Sequence, residues 1–304
     1  IFNLSAPATT VSVLGNLIVS GNLTVQQGTF RINNNAATTR LDLTVNGDVL
    51  VQSNGLITVG TGNIGTAFED AHRFFIRGNF TNNGDVRFTN LAAPNYLTRP
   101  NHRVEVIFDN GISNQDVLLS GYTRFYRIEV NKGTDQTYIL NIDATTPNLF
   151  YLFGVNNTMG VTPSPDAPNI LNTNALGLMT GTLRLGANIT IPSLAQENAS
   201  ANDLNYHVDE DACLWIDGAN VTNTINSATS SSNSFVLYGK LKLTNPASVL
   251  DINNLHGIVM RANAAIEIQD GALTTPCIRT STVAGTHRGF YFQSGGVVTI
   301  TGNI

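Results

Sequence analysis

The amino-acid sequence predicts an all-β protein, and more narrowly a right-handed parallel β-helix (β-solenoid) with irregular loop insertions. Three observations support this prediction: a composition biased towards strands and turns, a short glycine-led phrase that recurs along the chain, and irregular spacing between its copies. The 304 residues suffice for one elongated repeat domain or for two ordinary domains.

Composition is the first observation. Charged residues make up 12% of the chain, about half the usual quarter of a globular protein. Good helix formers are scarce, whereas Val, Ile, Thr, Phe and Gly are plentiful, which favours strands and tight turns. The net charge of -5 comes without a basic stripe for a phosphate backbone, so we expect no nucleic-acid partner. No apolar run approaches the roughly 18 residues that cross a bilayer, so no membrane-spanning segment is expected.

The recurring phrase is a glycine, a small polar residue and then two apolar residues separated by one of any type. Side chains alternate between the faces of a strand, so the two apolar residues point the same way. Each copy therefore predicts one short strand entered through a turn. Copies begin at Gly15, Gly21, Gly47, Gly84, Gly181, Gly239 and Gly295.

Strands this short become stable when successive coils stack and every backbone group pairs with the coil above and below. We expect coils of roughly 20–25 residues, on the order of a dozen in all, around one continuous apolar core. The irregular spacing fits loops of variable length and fits a propeller badly. A pair of β-sandwiches is the alternative fold, although sandwich strands usually run longer and show clearer hairpins.

Interruptions in the pattern predict the organisation of the chain. We expect residues 1–160 and 179–304 to be the N-terminal and C-terminal coils of one continuous solenoid. Residues 161–178 form a Pro-rich loop or boundary, because prolines do not sit in paired interior strands. Residues 64–76 lack alternation and predict a short helical or loop excursion. Residues 196–212 predict an acidic loop and residues 226–234 a serine-rich one, and such loops carry the binding function of many repeat proteins.

Two blocks of the sequence resemble a known family. Residues 104–142 contain VEVIFDNG, NQDVLLSG, FYRIEVNK and YILNI in that order, and residues 235–303 form a second block. Both resemble the β-helix surface proteins that Bacteroidota export through the type 9 secretion system, which include large adhesins of gliding motility. The chain departs from the family at residues 116–119, where a shorter Gln-Thr-Ile-Ser turn is usual.

The resemblance implies secretion and display at the bacterial cell surface. The expected function is therefore that of an extracellular adhesin or structural stalk segment of a large secreted bacterial protein, which binds surfaces or glycans. Its expected partners are the secretion machinery, outer-membrane surface components and glycans. The two blocks are structural phrases, so the resemblance assigns no catalytic residue.

A polysaccharide lyase or glycoside hydrolase on a β-helix scaffold is the alternative function. Such enzymes need converging carboxylates, or acidic oxygens that bind calcium beside a base. The only candidates are weak calcium ligands, Asp209, Glu210 and Asp211, with Asp203, Asp217, His207 and Trp215 nearby. A solvated acidic loop beside a core tryptophan is the favoured interpretation. We therefore expect no enzyme activity, no catalytic or cofactor-binding residues and no cofactor, with calcium as the one ion left open.

A second candidate surface lies within the first block. If that segment is extended, Tyr122, Arg124 and Tyr126 share one face, with Arg127 beside them. Such a patch could hold a glycan, although half-buried strand tyrosines are the commoner outcome. Cys213 and Cys277 fit no metal-ligand pattern and are expected to be small buried side chains.

Overall fold

The computed structural model describes residues 2–65, 70–92, 102–154, 175–191, 206–226, 235–253, 256–280 and 289–302. Within these ranges the regular structure is a series of strands with no α-helix, and so none that could cross a membrane. The strands are β1 (Phe2–Leu4), β2 (Thr10–Val13), β3 (Leu17–Val19), β4 (Leu23–Ile32), β5 (Asp42–Val45), β6 (Val49–Val59), β7 (His72–Ile76), β8 (Phe80–Asn82), β9 (Asp85–Arg87), β10 (Val104–Phe108), β11 (Gln115–Leu119), β12 (Tyr122–Phe125), β13 (Arg127–Asn131), β14 (Ile139–Ala144), β15 (Phe150–Leu152), β16 (Leu176–Leu185), β17 (Thr190–Ile191), β18 (Tyr206–Val208), β19 (Ala212–Ile216), β20 (Val221–Asn226), β21 (Phe235–Leu237), β22 (Lys240–Leu243), β23 (Ser248–Asn253), β24 (Ile258–Met260), β25 (Ala265–Ile268), β26 (Ala272–Thr275), β27 (Ile278–Thr280), β28 (Phe290–Gln293) and β29 (Val297–Ile300).

These strands pair in parallel and form four rows. Row 1 contains β1, β4, β6, β8, β11, β14, β16, β19, β22, β25 and β28. Row 2 contains β2, β4, β6, β9, β12 and β15. Row 3 contains β3, β5, β7, β10, β13, β16, β18, β21, β24 and β27. Row 4 contains β17, β20, β23, β26 and β29.

The chain visits the rows in a fixed cycle. It passes from row 1 to row 2 to row 3 and returns to row 1, and row 4 takes the place of row 2 after β16. We call one passage through the cycle a level. The long strands β4 and β6 bend from row 1 into row 2, and β16 bends from row 3 into row 1. The prediction of an all-β chain built from parallel strands is confirmed, and each copy of the recurring phrase lies in or leads into a strand.

The core is one continuous apolar cluster between the rows. Its regularity is visible in row 1, where one residue of each strand is in register with the next. The series runs through Phe2, Leu23, Val49, Phe80, Val117, Ile142, Leu185, Ile216, Leu243 and Ile268, which lie in the core or pack against it, and ends at the exposed Gln293. The interval between neighbours ranges from 21 residues (Phe2 to Leu23) to 43 (Ile142 to Leu185). Four of the ten intervals fall within the expected repeat of 20–25 residues and six exceed it, because a level holds three strands together with turns of very different length.

The polar position of the recurring phrase has a structural role at the turns. Asn22 Oδ1 accepts the backbone N–H of Asp48 at 3.0 Å, and Asp48 Oδ1 accepts that of Asn79 at 2.8 Å. Asn79 Oδ1 in turn accepts the N–H of Asp116 at 2.9 Å. A Cβ on Gly78 would lie 2.4 Å from the backbone of the glycine one level below, so only glycine allows this close approach. Short polar side chains and glycines thus connect successive levels where strand pairing stops.

Residues 64–76 correct one expectation. The segment was predicted to be a helical or loop excursion, yet His72–Ile76 forms strand β7 in row 3. His72, Phe74 and Ile76 are buried, while Arg73 and Phe75 are partly exposed, so the residues do alternate. The alternation of apolar and polar residues was not recognised because a histidine occupies an inward position of the strand. Its Nδ1 accepts the N–H of Leu41 at 3.0 Å, while the buried Nε2 has no hydrogen-bond partner among the described residues. Residues 66–69 lie outside the described ranges.

The predicted loops fall largely outside the described residues. Within the expected acidic loop 196–212, Tyr206–Val208 forms β18 and Ala212 begins β19, so the only described loop residues are 209–211. Residues 155–174 and 227–234 cover most of the Pro-rich and serine-rich segments and lie outside the described ranges. Leu176, inside the expected Pro-rich loop 161–178, already begins β16.

Candidate functional site

Row 2 brings arginine and tyrosine side chains together on its outward face. In β4, β6, β9, β12 and β15, Arg31, Thr58, Arg87, Arg124 and Tyr151 follow one another in register. Tyr122 lies two positions before Arg124 on β12, and therefore on the same face. We call Arg31, Arg87, Tyr122, Arg124 and Tyr151 the basic–aromatic strip.

The alternation of β12 explains why these side chains point outward. Thr123 and Phe125 are fully buried, whereas Tyr122 and Arg124 between them are partly exposed. The Phe125 ring packs in the core, 5.6 Å from both Phe88 and Phe150 between ring centroids. The core packing of Phe125 therefore fixes strand β12, and with it the outward positions of Tyr122 and Arg124.

The aromatic part of the strip is ordered by its own contacts. The rings of Tyr122 and Tyr151 lie 4.8 Å apart at an angle of 47°. The Arg124 guanidinium lies 4.9 Å from the Tyr122 ring centroid, at the distance of a cation–π contact. Its Nη1 donates to the carbonyl of Leu91 at 2.8 Å, which fixes the side chain further. The buried Nε of Arg124 has no hydrogen-bond acceptor.

The strip carries an excess of positive charge. Arg87 pairs with Asp85, its neighbour on β9, through Nε at 2.8 Å and through Nη2. Arg31 donates Nε to Ser12 Oγ at 3.0 Å. Within the part of the chain that the structure describes, neither Arg31 nor Arg124 forms an ion pair with a carboxylate. Three arginines against Asp85 leave a local charge of +2 in a chain whose net charge is -5.

The patch expected from the sequence is therefore correct in part. Tyr122 and Arg124 share an outward face, but Tyr126 and Arg127 do not join them, since they are only 1% and 2% exposed. The chain turns after β12, so Tyr126 packs against the Arg103 guanidinium at 5.5 Å. Arg127 enters row 3, where it forms buried ion pairs with Glu105 and Glu129.

Sequence reasoning missed Arg31, Arg87 and Tyr151. Each is an ordinary outward strand residue, and 93 positions separate Arg31 from Arg124. These residues lie close together only because the strands of row 2 pair in a particular register. The only local signal was the alternation of each strand, which identifies an outward residue without identifying its neighbours on other levels.

The described acidic candidates do not form a group suited to a metal ion. Asp209, Glu210 and Asp211 form the turn between β18 and β19, and Asp209 Oδ1 lies 3.2 Å from His207 Nε2. Asp217 is instead paired with Arg184 at 2.7 Å. No group of three or more His, Cys, Asp or Glu residues suited to a metal ion occurs among the described residues, and Asp203 lies outside them. The calcium hypothesis thus gains no support from the described residues.

Trp215 lies on the outward face of row 1, rather than in the core. The Arg184 guanidinium and the Lys242 ammonium lie 5.4 Å and 4.7 Å from its ring. They come from the neighbouring strands β16 and β22, one on either side of β19. Its Nε1 donates to Thr244 Oγ1 at 2.6 Å. A sugar could therefore stack on Trp215 only by displacing one of these cations.

No protein-family model, no curated protein and no solved structure matches this chain. The functional argument therefore rests on the geometry of the residues described above.

Proposed function

We propose that this chain is a right-handed parallel β-helix that serves as an extracellular cell-surface adhesin or structural stalk segment of a large secreted bacterial protein, binding surfaces or glycans. Wherever two of the named strands are hydrogen-bonded, they are parallel, and the chain visits the rows in a fixed cycle. This supports the β-helix over a pair of β-sandwiches, because sandwich sheets are built from antiparallel strands. The right-handed sense follows from the strong preference of parallel crossovers for that hand.

The basic–aromatic strip is the observation that carries the binding part of the proposal. Arg31, Arg87, Tyr122, Arg124 and Tyr151 stand on strands of one sheet, so the backbone fixes their relative positions. Rigid elements hold a binding surface more precisely than loops do. Tyrosine and arginine are also the side chains that most often dominate recognition surfaces.

The secretion route and partners belong to the same proposal. The resemblance of residues 104–142 and 235–303 to surface proteins of Bacteroidota supports export by the type 9 secretion system. The secretion machinery and outer-membrane surface components are then partners, and the bacterial cell surface is the location. Antibody labelling and protease treatment of intact cells that produce the protein test this part. We expect surface labelling, and a signal seen only after cell lysis would contradict it.

One specific observation supports the alternative function, a polysaccharide lyase or glycoside hydrolase. His207 and Asp209 lie within 3.2 Å, close enough for an acid–base pair. Glycoside hydrolysis needs two carboxylates that face each other across the sugar, whereas Asp209, Glu210 and Asp211 follow one another in a single turn.

A single assay separates the two functions. The purified chain is incubated with acidic and neutral polysaccharides, with calcium or with a chelator. New reducing ends, ultraviolet absorbance of unsaturated products and retention on immobilised glycans are then measured. The adhesin proposal expects retention without cleavage. Cleavage that is lost in Asp209→Ala, but kept in a matched Asp135→Ala variant of another exposed turn, would establish the enzyme instead.

A further inference from the structure

We infer that the basic–aromatic strip binds a polyuronate, an extended polysaccharide with one carboxylate per sugar, laid across β4, β6, β9, β12 and β15 in succession. This inference rests on the proposed glycan-binding function and specifies its ligand and its location. The occupant is argued from charge, from the aromatic pair and from the spacing of the strands.

Charge complementarity selects an anionic ligand. The strip has a local charge of +2, whereas the chain as a whole is at -5 and repels polyanions elsewhere. Arginine presents a planar fork of donors that matches a carboxylate, and such charge-assisted hydrogen bonds are stronger than neutral ones. Arg124 is partly exposed, its guanidinium is held by the carbonyl of Leu91, and it forms no ion pair with a carboxylate within the described residues, so its charge is available to a ligand on a side chain that is already fixed.

The tyrosine pair selects a sugar among anionic ligands. Sugar rings pack their C–H faces on aromatic rings, and aromatic side chains lose little conformational entropy when they bind. The rings of Tyr122 and Tyr151 are already held 4.8 Å apart next to Arg124. Arg124 covers the Tyr122 ring, whereas no cation from the described residues lies over the ring of Tyr151. Tyr151 and the Arg124 guanidinium therefore place an aromatic surface beside a carboxylate receptor on adjacent strands, as a sugar acid requires.

Spacing favours a chain with one charge per sugar. Arg87 and Arg124 stand on adjacent strands, about 4.8 Å apart at the backbone. Arg31 stands two strands from Arg87, about 9.6 Å away. A sugar residue in an extended chain advances by about one strand spacing, so carboxylates on successive sugars meet successive strands. A densely sulfated chain carries more charge than a strip that includes Asp85 can neutralise.

The outward groove of row 1 offers a contrast within the same molecule. It has a volume of about 220 Å³ and is lined by Asn22, Thr24, Asp48, Val49, Leu50, Asn79 and Thr81. It contains a carboxylate and no cation, so a polyuronate is repelled there. The two faces therefore differ in charge although they are built on the same strands, β4 and β6.

Binding of polygalacturonate to the immobilised full chain tests the inference, with heparin as the sulfated probe and dextran as the neutral one. We expect polygalacturonate to bind, to weaken as salt rises, and to lose about 3- to 10-fold in affinity in Arg124→Gln or Arg31→Glu. Arg77→Gln is the matched control, because Arg77 is an exposed, ion-paired arginine of row 3 rather than row 2. It should bind as the wild type does. Circular dichroism of each variant verifies folding, and Arg31→Glu tests the strip if Arg124→Gln fails to fold.

Four results overturn the inference. Equal losses in Arg77→Gln and Arg124→Gln would show that binding follows overall charge. Heparin binding more tightly than polygalacturonate, with the same dependence on the strip, would replace the polyuronate by a sulfated ligand. Dextran binding that strip variants leave unchanged, or no binding of any of the three probes, would also refute it. The proposed surface function is then judged separately, by labelling of intact cells.

Discussion

Two fully buried asparagines with opposite environments give a sharp test of the structure. Asn223 on β20 lies in register between Ile191 and Leu250 with its side chain completely buried. Within the part of the chain that the structure describes, neither its Oδ1 nor its Nδ2 has a hydrogen-bond partner. Asn82 at the end of β8 is just as buried, yet its Nδ2 donates to Thr123 Oγ1 at 2.8 Å and its Oδ1 accepts the N–H of Gly84 at 2.8 Å.

We predict that Asn223→Leu stabilises the protein. An unsatisfied buried amide costs about 1–3 kcal/mol, and leucine removes that cost while adding apolar contacts with the neighbouring core residues. Leucine has the same branching and number of heavy atoms as asparagine but a larger volume, so an overpacking penalty of about 1 kcal/mol is set against this gain. The expected net gain is about 1–3 kcal/mol, or roughly 2–5 °C in Tm for a chain of this size.

Asn82→Leu is the matched control, with the opposite expected sign. It leaves the N–H of Gly84 and the carbonyl of Tyr122 without their partner, at a cost of about 2–4 kcal/mol. Thermal unfolding followed by circular dichroism measures both variants. A lower Tm for Asn223→Leu than for the wild type would refute the argument that its amide is unsatisfied in the native state.

Three further predictions concern buried titratable groups. Burial lowers the pKa of His72 from 6.5 to about 4, so between these pH values the unfolded chain binds a proton that the folded chain does not. The free energy of unfolding should therefore fall by about 3 kcal/mol as the pH drops from 6.5 to about 4. Denaturant titrations of His72→Asn should lack that loss. Arg127→Met leaves the buried Glu105 and the partly exposed Glu129 without their buried cation and should cost about 3–5 kcal/mol in urea unfolding; a change below 1 kcal/mol would contradict it. Burial raises the pKa of the Cys213 thiol to about 12, so a thiol reagent should modify only the partly exposed Cys277 until the protein unfolds; rapid labelling of both would contradict it.

Local features of the fold could be predicted from the sequence because they repeat every two residues. The phrase beginning at Gly47 or Gly239 marks a strand, since its two apolar side chains must share a face. The same reasoning failed at His72–Ile76, where a histidine occupies an inward position and hides the alternation. It also underestimated the repeat, because the length of a turn leaves no trace in the strands that it connects.

The candidate site depended on information that no local pattern contains. Tyr122 and Arg124 could be paired from β12 alone, but Tyr126 could not be excluded until the turn after β12 was known. Arg31 and Tyr151 joined them only through the register of rows, which depends on how many residues each intervening turn takes up. A shift of one residue would have moved either side chain into the core.

The stacking of row 1 also has a mechanical consequence. Each strand bonds only to the strand before and the strand after it, and these hydrogen bonds run along the stacking direction. A load applied between the two chain ends therefore detaches the outermost strands first, one level at a time. Each level releases 21–43 residues, which extend by about 70–150 Å at 3.3–3.6 Å per residue. Under tension such a protein extends in discrete steps and absorbs work at each step, while the strands that remain paired keep their outward side chains in register.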